Sequence, residues 1–224
     1  MSLVETDWLE KNIGKVKIID CSWHMPHTKR NGYNEYKIQH IPETIFFDLD
    51  LNSKKNTALP HMMIEIQNWE KIVSEMGIKK EDKIVIYDNS DVVSACRCWF
   101  SFIYLGHDPK LVHVLNGGLK KWIMEKRKVT TDLPRTQITN YKCIEKKELI
   151  KDKASIDKNI DNQEFKVIDA RSKERFEGKI PEPRKGLRSG NIKNSFCIPF
   201  NKCLNEDKTF KKKEELQNIF KLSL

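Results

Sequence analysis

The chain has six cysteines, Cys21, Cys96, Cys98, Cys143, Cys197 and Cys203, but no C-x-x-C pair. Cysteine and histidine do not fall together at zinc-ligand spacing either. Both absences argue against a structural metal site and a dithiol redox motif. The opening residues, Met-Ser-Leu-Val-Glu-Thr-Asp, have no basic stretch followed by an apolar run, so no secretory signal is expected. No apolar run is long enough to cross a bilayer. Free thiols without an export signal fit a reducing, cytoplasmic compartment. The formal net charge is +9, yet the lysines are mixed with acids, as in Glu145-Lys146-Lys147-Glu148. Without a basic face interleaved with aromatics, neither nucleic acid nor a membrane surface is an expected partner.

The apolar material is ample. Hydrophobic residues make up 38% of the 224, with five Trp and ten Phe, enough for a sizeable core and against wholesale disorder. Short apolar runs alternate with helical periodicity. Val16–Asp20, Thr44–Asp48, Lys83–Asp88 and Leu111–Leu115 read as strands. Helices are expected around 8–12, 33–38, 64–76 and 94–105, with another running from Gly118 through Trp122. The continuously apolar Ile84-Val85-Ile86-Tyr87 is of the type buried on both faces. Strand–helix alternation of this kind predicts an α/β fold with a parallel sheet and flanking helices.

The pattern then restarts. Residues 124–148 have little apolar periodicity and read as a linker. Val167-Ile168-Asp169-Ala170 echoes Ile18-Ile19-Asp20-Cys21, and Ser195-Phe196-Cys197-Ile198 echoes Thr44-Ile45-Phe46-Phe47. Leu216-Gln217-Asn218 echoes Ile66-Gln67-Asn68. All three pairs are separated by about 150 residues, the mark of a duplicated domain. The expected organisation is a complete domain over 1–125, a linker over 126–148, and the first part of a second domain over 149–224. The counterpart of the loop after Tyr87 would fall near position 238, past Leu224, so the second domain is expected to be incomplete.

Several residues invite a chemical reading. Arg175 and Arg184 flank the Gly/Pro-punctuated stretch Phe-Glu-Gly-Lys-Ile-Pro-Glu-Pro. Arginine forks suit carboxylates and other oxyanions, although surface arginines are the plain alternative. A histidine such as His40, before Ile41-Pro42, is more often a turn anchor that hydrogen-bonds locally than a catalytic base. Cys96 and Cys98 fall in the first turns of a helix, where a thiol can be activated, but burial as small hydrophobes is the simpler reading. Asn116-Gly117-Gly118 reads as a strand-to-helix turn rather than a phosphate loop.

Taken in order, these pieces resemble the tandem-domain sulfurtransferases, the rhodanese and 3-mercaptopyruvate sulfurtransferase family. The resemblance is carried by Asp20-Cys21-Ser22-Trp23, His40-Ile41-Pro42, Phe46-Phe47-Asp48-Leu49-Asp50 and Leu115-Asn116-Gly117-Gly118 in the first half. In the second half it is carried by Asp169, Arg171, Arg175-Phe176, Gly178, Pro181-Glu182-Pro183-Arg184 and Ile198-Pro199-Phe200. It implies two rhodanese-like domains, the first of non-catalytic type and the second of catalytic type.

The implied reaction moves sulfur from 3-mercaptopyruvate or thiosulfate, through a cysteine persulfide, to a thiol such as thioredoxin or glutathione, or to cyanide. No cofactor and no metal is implied. Arg175 and Arg184 match the residues that bind the anionic donor, with spacing closer to the mercaptopyruvate enzymes. His40 and Trp23 match residues near the cleft, and the acid that the family pairs with that histidine is matched by Asn31. The catalytic cysteine has no match in these residues. Asp88 stands at the equivalent first-domain position, and a carboxylate cannot form a persulfide. The expectation is therefore a sulfurtransferase by family with little or no activity as 224 residues. The alternative is a non-catalytic remnant or binding module. Phosphatase chemistry on a Cys-x5-Arg loop is not expected, because no such loop follows the relevant strand.

Overall fold

A computed structural model describes residues 2–184 and 186–224 except Leu224 itself, and divides them into two compact units meeting at Leu149 and Ile150. The stretch expected as a linker is packed on the first unit. Tyr141 is buried in that unit's core, Thr139 Oγ1 donates to the Ile78 carbonyl at 2.6 Å, and His40 and Thr130 form a two-way backbone bridge. Apolar periodicity misses such a strap because few of its side chains are buried and its backbone borrows partners from the unit beneath.

The first unit runs β1 (Leu3–Val4), α1 (Thr6–Glu10), β2 (Lys17–Asp20), α2 (Gly32–Ile38), β3 (Thr44–Phe46), α3 (Ile66–Glu75), β4 (Ile84–Tyr87), α4 (Ala95–Tyr104), β5 (Val112–Leu115) and α5 (Gly118–Met124). Its five strands form one sheet in the order β1-β5-β4-β2-β3, and every pairing is parallel. The strand order explains the composition of β4. Ile84 and Ile86 face a cluster that includes Trp69, Val73 and Phe102 from α3 and α4. Val85 and Tyr87 face Leu9, Leu119 and Trp122 from α1 and α5. With helices on both faces, each position must be apolar. Trp69 and Trp122 are fully buried, one on each side of the sheet. Truncating side chains of that size costs about 3–5 kcal/mol.

β2 leads outward to β3, whereas β4, on the other side of β2, leads outward to β5. The carboxyl ends of β2 and β4 therefore form the point at which the strand order reverses, where open α/β sheets place their sites.

The second unit runs α6 (Lys153–Asn162), β6 (Val167–Asp169), α7 (Lys173–Phe176), β7 (Ser195–Cys197) and α8 (Lys213–Ser223). β6 and β7 pair in parallel as a two-stranded sheet. The two units share local backbone features. Glu43 and Asn194 both adopt φ of 64° just before β3 and β7. The Phe47 amide donates to the Asp20 carbonyl at 2.8 Å, and the Ile198 amide to the Asp169 carbonyl at 3.0 Å. On the opposite edge, β2 receives β4, and the Cys21 amide donates to the Tyr87 carbonyl. β6 has no such partner among the described residues. Ile19 is accordingly fully buried, whereas Ile168 is 38% exposed.

Candidate functional site

In the first unit the reversal point is acidic and closed. Asp20 ends β2, and its Oδ1 accepts the Ser22 amide at 2.9 Å and the Ser22 hydroxyl at 2.5 Å. Burial pushes its carboxyl up to about 7. Asp88 follows β4 and turns its carboxylate into its own loop. Oδ1 accepts the Ser90 amide at 3.0 Å, and Oδ2 accepts the amide of Ala95, the first residue of α4, at 2.6 Å. Burial again leads, raising this carboxyl to about 6. The loop is stitched to the end of β2: Ser94 Oγ donates to the Cys21 carbonyl at 2.6 Å, and Ser90 Oγ to the Trp23 carbonyl at 2.5 Å. The loop's inward N–H groups thus already hold an anion belonging to the chain itself.

The neighbouring glycines serve this turn. A Cβ on Gly118 would lie 2.3 Å from the Asp88 carbonyl oxygen, so only glycine lets α5 start that close. The Asn116-Gly117-Gly118 stretch is a strand-to-helix turn, as its sequence indicates.

Trp23 and His40 have different settings. Trp23 is half-buried; its indole N–H donates to Asp50 Oδ2 at 2.9 Å, and its ring meets His61 edge-on at 4.9 Å. His40 does not line an open cleft within its unit. It is fully buried, stacked on Tyr36, with Nδ1 2.7 Å from the Tyr36 carbonyl and Nε2 3.1 Å from the Asp132 carbonyl. That is the geometry of a residue pinning the strap to α2. Asn31 caps α2, its Oδ1 accepting the Asn34 amide at 2.9 Å, which places it in a helix start rather than beside His40 as a relay partner.

In the second unit the corresponding turn carries two arginines. The Arg171 amide donates to Asp169 Oδ1 at 2.9 Å, the same turn that Ser22 makes with Asp20. Here the side chain also returns: Arg171 Nε is 2.9 Å from both Asp169 oxygens, and Nη2 reaches Oδ2. The hydrogen bond to Arg171 holds the Asp169 carboxyl below the ordinary range. Arg175, in α7, grips Glu182 through Nη2 to Oε2 at 2.5 Å and Nε to Oε1 at 3.2 Å. Arg171 Nη1 meets the same Oε1 at 2.7 Å. Arg175, then Arg171, hold the Glu182 carboxyl low. Arg184 is exposed and stands outside this network.

The sequence pieces Asp169, Arg171 and Glu182 were legible as parts of a pattern, but not as partners of Arg175. Their signal is a carboxylate fixed between two prolines, seven residues after an arginine.

All six cysteines are free. Burial pushes Cys96 up to about 12 and raises Cys197 and Cys203 above the ordinary thiol range, the reverse of what a reactive thiolate needs. No group of three or more metal-ligating side chains occurs among the described residues.

Residues 5–125 match the family described as rhodanese-like domain. The chain is 36% identical over 241 residues to thiosulfate/3-mercaptopyruvate sulfurtransferase 1, mitochondrial, of Arabidopsis thaliana, covering 97% of this chain and 63% of that protein. It is 34% identical over 229 residues to the thiosulfate sulfurtransferase of Rattus norvegicus, covering 98% of this chain and 76% of the relative. Among solved structures, SseA of Escherichia coli, described as a 3-mercaptopyruvate sulfotransferase, superposes with a TM-score of 0.87 at 26% identity, over 100% of this chain and 84% of that one. The chain thus spans about two thirds to three quarters of the length of these curated relatives.

Proposed function

This chain belongs to the family of rhodanese-like domain proteins, and from that premise we propose that its second unit carries the donor-anion clamp of a sulfurtransferase. Arg175 and Arg184 are the clamp. The donor is a small sulfur-bearing anion, 3-mercaptopyruvate or thiosulfate, and the acceptor is a thiol such as thioredoxin or glutathione, or cyanide. The reading rests on one contrast. The ends of β2 and β4 bury two acids, Asp20 and Asp88, whose oxygens already take the N–H and O–H donors of that turn, and no arginine faces them. The turn after β6 sets Arg171 and Arg175 against its acids and leaves guanidinium N–H groups for an oxyanion.

Sulfur transfer needs a thiolate to attack the donor's transferable sulfur, with sulfite or pyruvate leaving. No thiol among residues 1–224 is placed for this, so these residues alone are proposed to have little or no sulfurtransferase activity. Six free cysteines fit a reducing, cytoplasmic setting. None of the described helices is long and apolar enough to cross a membrane.

Two measurements test the proposal. Thiosulfate binding, followed by calorimetry, should fall at least about tenfold in Arg175→Lys, because lysine cannot reproduce the fork. Incubation with 3-mercaptopyruvate should give no stable gain of one sulfur in intact mass. A sulfur adduct abolished by changing Cys96 or Cys98 to serine would overturn the inactivity. The open edge of β6 favours a second reading, a binding module that takes an extended apolar strand. It predicts strand binding without any affinity for thiosulfate.

A further inference from the structure

We infer that Glu182 is a positioning residue for the clamp, holding Arg175 by one edge of its guanidinium so that the opposite edge faces an oxyanion. The inference rests on the reading of Arg175 as the clamp. Glu182 is well suited to the role. Its side chain is only 5% exposed, and it stands between Pro181 and Pro183, whose rings fix the backbone on both sides. Its two oxygens take Arg175 Nε at 3.2 Å and Nη2 at 2.5 Å. A guanidinium has five N–H donors; this side-on grip occupies two and leaves Nη1 and the outer Nη2 hydrogen.

Glu182 is itself held. Arg171 Nη1 donates to Oε1 at 2.7 Å, while the rest of that guanidinium is committed to Asp169 and to the Gly190 carbonyl at 2.8 Å. Arg171 is thus the anchor, Glu182 the bridge and Arg175 the presented group. Two arginines and two carboxylates balance in charge, so the network can sit half-buried without an external counter-ion.

Charge and geometry predict opposite signs here. Glu182 is an anion beside a proposed anion site, so by Coulomb repulsion alone its neutralisation should tighten anion binding. If it positions Arg175, neutralisation should weaken binding, because glutamine keeps one acceptor oxygen but puts donors opposite donors along the guanidinium edge.

The test uses the full chain, labelled with nitrogen-15, with thiosulfate as the probe. Glu182→Gln should weaken thiosulfate binding about tenfold, the range of a lost charged hydrogen-bond pair. It should also turn the slowly exchanging Nε–H resonance of Arg175 into a fast-exchanging one, with the melting transition retained. Glu182→Asp, which keeps the charge but withdraws the oxygens by one methylene, should fall between the two. Unchanged or tighter binding in Glu182→Gln overturns the positioning role while leaving the clamp intact. If the wild-type chain does not bind thiosulfate, the clamp itself is overturned, and the role with it.

Discussion

Asp20 and Asp169 end β2 and β6, close the same kind of turn and sit in opposite electrostatic environments. Each ends an apolar strand, and each accepts the backbone amide two residues on at 2.9 Å. In the first unit that next residue but one is Ser22, a hydroxyl, and the buried acid is driven up to about 7. In the second it is Arg171, and the acid is held low. Burial under β4 and the lack of a facing cation raise the one acid, whereas the Arg171 guanidinium lowers the other. The comparison also shows why a shared fold does not carry a shared site: the backbone frame repeats, while the charge placed on it does not.

The comparison extends to packing, and the largest expected effect lies there. A fragment ending at residue 149 should fold cooperatively, whereas one ending at 125 should be destabilised by several kcal/mol or fail to fold. The shorter fragment loses buried Tyr141 and the backbone partners of His40 and Ser74; urea titration of both decides it. Equal stability would show that residues 126–148 are a linker after all.

Next in size is the contrast between equivalent isoleucines. Ile19→Ala should cost about 2–5 kcal/mol, because Ile19 is sealed between strands and helices, and Ile168→Ala less than about 1 kcal/mol. If the two cost the same, β6 is covered in solution by something other than the described residues.

The two acids should respond to pH with opposite signs. The folded value of Asp20 is raised, so the folded state holds its proton more tightly than the unfolded chain. Its cost to stability is absent below about pH 4 and grows as pH rises to about 7. Asp20→Asn keeps the Oδ1 acceptor and should remove that slope, raising stability at pH 8 by roughly 2–4 kcal/mol. Asp169 is depressed, so its contribution is present above about pH 4 and is lost on acidification. Asp169→Asn should cost about 1–2 kcal/mol at pH 7 and little at pH 3. Denaturation curves at pH 3, 5 and 8 separate the two; slopes of the same sign would break the comparison. Smallest of all, removing the exposed Lys153–Asp157 pair of α6 with Lys153→Ala should change stability by less than about 0.5 kcal/mol.

Much of the frame was legible in the chain itself. The alternation of apolar runs located β2 to β5 and α3 to α5 to within a few residues, because a doubly covered parallel sheet demands continuous apolar strands. The two-residue β1 carries no sequence signal, since Leu3-Val4 is too short to show a period and is defined only by pairing with β5. The strap over 126–148 is illegible for a related reason: its order comes from hydrogen bonds to His40, to α3 and to the end of α4, not from a pattern of its own. Arg175 was legible as a candidate on spacing, but its partner was not, since seven residues of loop do not say where Glu182 folds back. His40 shows the converse. Its sequence setting left two roles open, and the two carbonyls facing its ring nitrogens favour the structural one.

The sequence by itself determined the class of fold and the place of most strands and helices, because these follow from local periodicity. Only the tertiary structure decided which charges meet. The burial of Asp20 depends on strands that lie side by side but far apart in the chain, and the pairing of Arg175 with Glu182 and the turning of Asp88 into its own loop depend on how a short segment folds back. Electrostatic interactions act over a few ångströms of space, and spacing along the sequence does not measure that distance.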